Sequence, residues 1–321
     1  MQTLPLRPSP RSVACGRGAV SIAAAVVAAL VSAAAGPAAR GQADVPREIV
    51  LWPEGVPEPR VPAEPAESVA KGKDGISRRA NVSQPRLVVF DPPAAAAGAA
   101  PRGAVVVVPG GGFSILADEH EGSDACRRLA AEGLTAFLLL HRAPTGTMPV
   151  PNAGPVADVQ KAVYEVRRRA HDFGVDPGKI ALLGFSAGGQ ATLVAAAGPP
   201  RFTPADAGVS PRPDAALVIY PWRILADDGK GLRPEVTIDA TSPPFFIAQC
   251  GDDPASLPAG AATLYLRLVE AKVPAEIHVY ERGGHGFGMR PRENAPGTAD
   301  WFVRALDWLR GRGIVAAKPA P

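Results

Sequence analysis

Residues 180–198 read IALLGFSAGGQATLVAAAG. Four apolar residues, 180–183, have the composition of a buried strand. The run 187–197 is built from small helix-compatible residues. Between them lies Gly184-Phe185-Ser186-Ala187-Gly188, a G-x-S-x-G pattern. The pentapeptide alone is weak evidence. Placed between a strand and a helix, it predicts a sharp turn that lifts the Ser186 hydroxyl above the sheet edge at a helix N-terminus. That is a setting for an activated serine nucleophile.

Two further stretches supply partners for such a serine. The β-branched run 104–108 enters Pro109-Gly110-Gly111-Gly112-Phe113. Glycines after a strand let backbone N–H groups approach a substrate oxygen unobstructed, as half of an oxyanion hole, with the Ala187 N–H as the other half. The stretch lacks the Lys-Ser/Thr of a P-loop and the spacing of a dinucleotide site. Downstream, His285 stands in Gly283-Gly284-His285-Gly286-Phe287-Gly288, a loop open enough for an imidazole that must reach Ser186. His120, His141, His171 and His278 fall in helices, strands or their ends. An acid is needed after a late strand, and Asp252 and Asp253 both follow the strand expected at 245–249. Spacing alone does not choose between the neighbours.

The remainder of the chain alternates strand with helix. Strands are predicted at 87–90, 104–108, 135–140, 180–184, 215–220, 245–249 and 275–280. Helices are predicted at 121–132, 156–173, 187–197, 261–271 and 299–310. Continuous apolar strands between helices imply a mostly parallel sheet of about eight strands covered on both faces. About 24 residues separate the strands ending at 220 and starting at 245, too few for a large cap domain. Residues 44–85 are expected as an irregular N-terminal arm with a short strand at 49–52. Residues 86–313 form the expected catalytic domain, and 314–321 a disordered tail.

Residues 1–43 read as an export signal. Arg7, Arg11 and Arg17 precede an uncharged Ala/Val-rich run at 19–35, followed by small residues up to Ala43. The run is poor in Leu and short for a membrane-spanning helix, so no stable membrane insertion is expected after cleavage. Cleavage would remove four of the 34 basic residues and none of the 31 acidic ones, turning the net charge from +3 to −1. The alkaline pI therefore belongs to the leader, and no basic stripe suggests nucleic acid. Cys126 and Cys250 remain; an oxidising compartment would allow them to pair, but two residues make no framework and buried free thiols are the expected state. No Cys/His cluster has metal-ligand spacing, and no cofactor is expected.

Taken together, LWPEGVPEP, VVVVPGGGFSILADEHEG, LGFSAGGQATL, QCGDDP and VPAEIHVYERGGHGFGM resemble the bacterial exported α/β-hydrolases of the acetyl-xylan and feruloyl esterase-like group. The likeness spans about residues 49–312. It implies an α/β-hydrolase fold and a triad of Ser186, Asp253 and His285, with oxyanion donors at Gly111, Gly112 and Ala187. It also implies a small-molecule or polysaccharide ester as substrate, and export to the periplasm or cell exterior. Pro109 stands where many relatives carry His, a departure that bears on loop rigidity and not on the chemistry. The site is expected to be open, lined by Phe113, Glu121, Trp222 and the N-terminal arm. The rival readings are a serine peptidase of the prolyl-oligopeptidase type, for which no propeller or cap is long enough, and a glycoside hydrolase, which needs two flanking carboxylates.

Overall fold

The computed structural model describes residues 47–93, 100–290 and 292–317. The expected export signal, 1–43, lies outside them. The centre of the fold is β7 (Val175–Phe185), whose 180–185 stretch is buried on both faces. It pairs in parallel with β5 (Arg102–Val108) on one side and β8 (Ala215–Ile219) on the other. The sheet extends through β6 (Thr135–Leu140) beyond β5, and through β9 (Phe245–Cys250) and β10 (Ala275–Tyr280) beyond β8. Two antiparallel strands, β4 (Arg86–Phe90) and β1 (Glu48–Val50), complete the edge next to β6. The eight-stranded order is β1-β4-β6-β5-β7-β8-β9-β10. This is the α/β-hydrolase fold.

Side-chain alternation along each strand assigns the two faces. Val105, Val107, Leu183, Leu217 and Phe246 point to the face packed by α1 (Asp124–Ala131) and α5 (Trp301–Gly311). Val106, Val108, Leu182, Val218 and Ile247 point to the face packed by α2 (Ala153–Arg168), α3 (Ser186–Ala197) and α4 (Pro258–Glu270). Helix α3 is buried along its whole length, which explains its small, uniformly apolar sequence. No helix among the described residues is long and apolar enough to cross a membrane. Residues 221–244 contain no helix or strand, so among the described residues this connection places no helical cap over the carboxyl ends of the strands.

The structure departs from the sequence reading in three places. The stretch 53–85 is not irregular throughout. It contains a ribbon of β2 (Ser68–Lys71) and β3 (Ser77–Ala80), docked by reciprocal Arg79–Leu116 backbone hydrogen bonds of 2.8 Å. Its polar sequence hides it, because ion pairs hold it: Arg79 with Asp118 (2.7 Å), and Arg86 with Glu67 (2.7 Å). The expected helix at 121–132 begins instead with a single wide π-type turn, Glu119–Ser123, ahead of α1. Ile314 and Val315, expected in a disordered tail, are buried in the core.

The arm is anchored by a buried ion pair. Arg142 and Asp158 are both fully buried. Arg142 Nε donates to Asp158 Oδ2 (2.9 Å), and its Nη1 donates to the carbonyls of Pro57 (2.7 Å) and Pro59 (2.9 Å). Trp52 Nε1 donates to Asp158 Oδ1 (2.7 Å). Asp158→Ala would strand the guanidinium without its counter-charge, and is expected to cost about 3–5 kcal/mol, read from the denaturant midpoint. A loss under about 1 kcal/mol would show that the pair does not fix the arm.

Candidate active site

Strand β7 ends at Phe185, and Ser186 turns at a φ of 51° into α3. That conformation is costly for a residue with a Cβ. Steric room decides it. A Cβ at Gly184 would lie 2.2 Å from Thr192 Oγ1, and one at Gly188 would lie 2.3 Å from the Val108 carbonyl oxygen. Glycine at both positions lets β7, the turn and the end of β5 pack at contact distance.

Ser186 Oγ lies 2.8 Å from His285 Nε2. His285 Nδ1 lies 2.8 Å from Asp253 Oδ2. An ionised Asp253 accepts, so Nδ1 carries the ring proton and Nε2 is free to accept from the Ser186 hydroxyl. Asp253 is buried, and its other oxygen accepts from the N–H groups of Ala255 and Ser256 (2.8 Å each). Burial opposes its ionisation, but the hydrogen bonds from His285 and Ser256 outweigh burial and hold the carboxyl below its usual range. The adjacent Asp252 has a different task. It accepts from the backbone N–H groups of Gly284 (2.8 Å) and Gly283 (3.3 Å), bracing the loop that presents His285.

Gly111 and Gly112, at φ of 130° and 62°, line the cleft beside Ser186 and His285. A Cβ at Gly111 would fall 2.1 Å from the Ile115 carbonyl oxygen, so the turn requires glycine. Among the described residues, neither N–H donates an internal hydrogen bond. Ala187 lies in the first turn of α3, where N–H groups have no intrahelical acceptor. The cleft measures about 420 Å³, and ribbon residues Asp74, Ile76 and Arg78 form part of its wall.

The dienelactone hydrolase family matches residues 151–312, half of the chain. The chain belongs to the dienelactone hydrolase family. Residues 91–201 also match the BD-FAE family. Among curated proteins, an acetylxylan esterase from Xylanibacter ruminicola is 28% identical over 56% of the chain and 40% of its own length. An endo-1,4-beta-xylanase B from Butyrivibrio fibrisolvens is 30% identical over 64% of the chain and 36% of its own length. The matched region thus spans well under half of these relatives. Among solved structures, an acetyl ester-xyloside bifunctional hydrolase from Caldicellulosiruptor lactoaceticus aligns with a TM-score of 0.65 at 26% identity, covering 85% of this chain and all of that one. Thermogutta terrifontis esterase 2 phosphorylated by paraoxon aligns with a TM-score of 0.64 at 25% identity, covering 79% and 97%.

In this dienelactone hydrolase family member, the residues expected to line the cleft take unequal places. Trp222 is half-buried on the cleft wall, and its backbone N–H donates to the Ser186 carbonyl (2.9 Å). Phe113 does not face the Ser186 cleft. It is 1% exposed, and its ring packs edge-on against Trp222 at 6.1 Å, supporting the wall from behind. Glu121 borders the cleft but is buried, with both oxygens engaged by the protein. Its Oε2 accepts from the Gly110 N–H (2.9 Å) and its Oε1 from the Tyr220 hydroxyl (2.9 Å).

Tyr220 went unnoticed in the sequence. Its hydroxyl accepts from the Gly288 N–H (2.9 Å), and its ring stands edge-on to His285 at 5.1 Å. Glu121 and Tyr220 thereby tie the glycine-rich loop to the histidine loop. Burial and the adjacent Glu121 charge push the Tyr220 phenol well above its usual range, so it stays a donor to Glu121. Gln249 donates from Nε2 to Asp253 Oδ2 (3.2 Å), and Arg292 donates to the carbonyl of His285 (2.7 Å). A readable signal existed for Gln249, the one polar residue in the buried run FFIAQC.

Tyr220→Phe leaves the Gly288 N–H and one Glu121 oxygen without this partner, and is expected to cost about 1–3 kcal/mol in a denaturant titration. An unchanged midpoint would show that the two loops are tied independently. A second expectation concerns pH. Because Asp253 has a depressed folded pKa, its contribution is present above the unfolded carboxyl pKa of about 4 and is lost as pH falls through the folded value. Asp253→Asn should flatten the stability curve across that acid window, whereas a curve as steep as that of the native protein would contradict the assignment.

Proposed function

We propose that this chain is a serine carboxylic ester hydrolase that works through an acyl-enzyme on Ser186 and removes short acyl groups from carbohydrate or small esters. The observation that carries the reading is the continuous chain Ser186 Oγ–His285 Nε2–His285 Nδ1–Asp253 Oδ2, with 2.8 Å at each hydrogen bond.

The steps follow from those contacts. His285 Nε2 takes the Ser186 hydroxyl proton as Oγ bonds to the acyl carbon, and the carbonyl π pair moves onto oxygen. The N–H groups of Gly111, Gly112 and Ala187 stabilise that oxyanion. The imidazolium is held by Asp253, which stays ionised. Collapse breaks the ester C–O bond, and the leaving alkoxide takes the proton from Nε2. Water then gives a proton to Nε2 as its oxygen attacks the acyl carbon; collapse breaks the acyl C–Oγ bond, and Nε2 returns the proton to Oγ, which releases the carboxylic acid and free Ser186.

The absence of a helical cap over the strand ends suits a small acyl group on a bulky alcohol. The acetyl ester chemistry in the names of the Xylanibacter and Caldicellulosiruptor proteins supports the acetyl assignment. Glycoside hydrolysis, named for the Butyrivibrio relative and as the second activity of the bifunctional Caldicellulosiruptor protein, is a poorer fit. The cleft carboxylates are Asp74, paired with Arg78 at 2.6 Å, and Glu121, committed to Gly110 and Tyr220. Neither is poised to flank a glycosidic bond. The leader at 1–43 supports export to the periplasm or cell exterior.

Turnover of p-nitrophenyl acetate, butyrate and octanoate, with acetate release from acetylated xylan, tests the reading. Acetate should be the preferred acyl group. Ser186→Ala should lose about 10⁴-fold or more in kcat. Asp253→Asn should lose about 10³–10⁴-fold, while Asp252→Asn, which loosens a loop and leaves the imidazole its partner, should lose under about 10-fold. Ester turnover that survives Ser186→Ala, or release of an aryl group from an aryl xyloside, would overturn it.

A further inference from the structure

Behind Trp222 a second cavity of about 290 Å³ opens, sharing that indole with the Ser186 cleft as a common wall. Three arginines line it, Arg201, Arg223 and Arg233, against one acidic residue, Glu235. Arg233 is paired with Glu235 (2.9 Å) and with Asp227 (3.4 Å). Among the described residues, neither Arg201 nor Arg223 has a carboxylate partner. The lining thus has a surplus of positive charge, with no carboxylate set against Arg201 or Arg223.

The cavity is built rather than incidental. Arg223 is held at a φ of 48°, a conformation that non-glycine residues rarely adopt. Its carbonyl accepts from Gln190 Nε2 (3.1 Å), and its guanidinium lies 5.3 Å from the centre of the Trp222 ring. The Arg223 backbone is thereby fixed at the lip. Asn152 and Gln190 also line the cavity; Asn152 Nδ2 donates to Gln190 Oε1 (3.4 Å), which leaves Asn152 Oδ1 to accept from a sugar hydroxyl. Guanidinium forks match the geometry of a carboxylate, and an indole face suits a sugar ring.

We propose that this cavity is a subsite for the carboxylate of an acidic sugar, so that the favoured substrate is an acylated saccharide bearing a uronic-acid unit. The proposal rests on the ester hydrolase reading for its substrate, but the cavity's anion recognition can be measured without turnover. An ester bound at Ser186 would extend past Trp222, and its uronate would meet Arg223 and Arg201.

The test pairs acetylated xylo-oligosaccharides carrying a glucuronic acid branch with their carboxyl-reduced counterparts. The acidic substrate should have kcat/KM about 10-fold higher, mainly through KM, with the preference shrinking at raised salt. In Arg201→Gln/Arg223→Gln the ratio should fall to about 2 or less, and exposed Arg201→Gln alone should lower it part-way. The same comparison is made by calorimetry on the Ser186→Ala protein, which isolates binding from catalysis. A sulfated oligosaccharide forms a third arm.

Equal binding of acidic and reduced oligosaccharides, a preference that survives the double substitution, or tighter binding of sulfate than of uronate would overturn the proposal. If neither oligosaccharide nor p-nitrophenyl acetate is hydrolysed, the ester hydrolase reading fails by itself. The calorimetric preference then still decides whether the cavity takes a uronate.

Discussion

The turn at Ser186 is the constraint on which the rest depends. A buried parallel strand must pass into a buried helix with no intervening loop, and the residue at the junction must accept a left-handed backbone. The crowding around Gly184 and Gly188 leaves no room for side chains there, so the strain at Ser186 is supported from both sides. Phe113, Tyr220 and Arg223, which follow the carboxyl ends of β5 and β8, also have positive φ. Strain is thus concentrated where the carboxyl ends of β5, β7 and β8 converge, which is where an open α/β sheet exposes backbone to a ligand.

A second layer of interactions makes separate loops act as one wall. Glu121 holds Gly110 on one side and Tyr220 on the other, and Tyr220 holds Gly288. Asp252 and Arg292 brace the same histidine loop through its backbone. A glycine-rich loop has little intrinsic preference for one conformation. Here the ordering comes from charged or buried partners on other elements, which reconciles glycines at 283, 284, 286 and 288 with a defined place for His285.

Much of this was legible in the chain because burial writes itself into composition. The run TAFLLL, buried throughout, marks β6 to the residue, and the strand–turn–helix around Ser186 announces itself; AEIHVY marks the half-exposed edge strand β10 by its alternation of Ile and Val with polar residues. What could not be read depends on partners distant in sequence. The β2–β3 ribbon has no periodic pattern, since Arg79 and Arg86 secure it through Asp118 and Glu67 and not through an apolar face. Glu121 reads in the sequence as a cleft residue, but Gly110 and Tyr220 occupy its two oxygens. Asp252 and Asp253 are indistinguishable as neighbours. One faces outward to the loop backbone and the other inward to the imidazole, a difference set by the turn after β9.

The central claim is that Ser186 is the activated nucleophile of an ester hydrolase. It is tested most directly by reacting the protein with paraoxon and locating the adduct by peptide mass spectrometry. The account predicts one phosphoryl adduct per chain, on Ser186, with ester turnover lost in step with its formation, and no adduct in His285→Ala. An adduct on another residue, or undiminished turnover from a protein fully modified at Ser186, would contradict it.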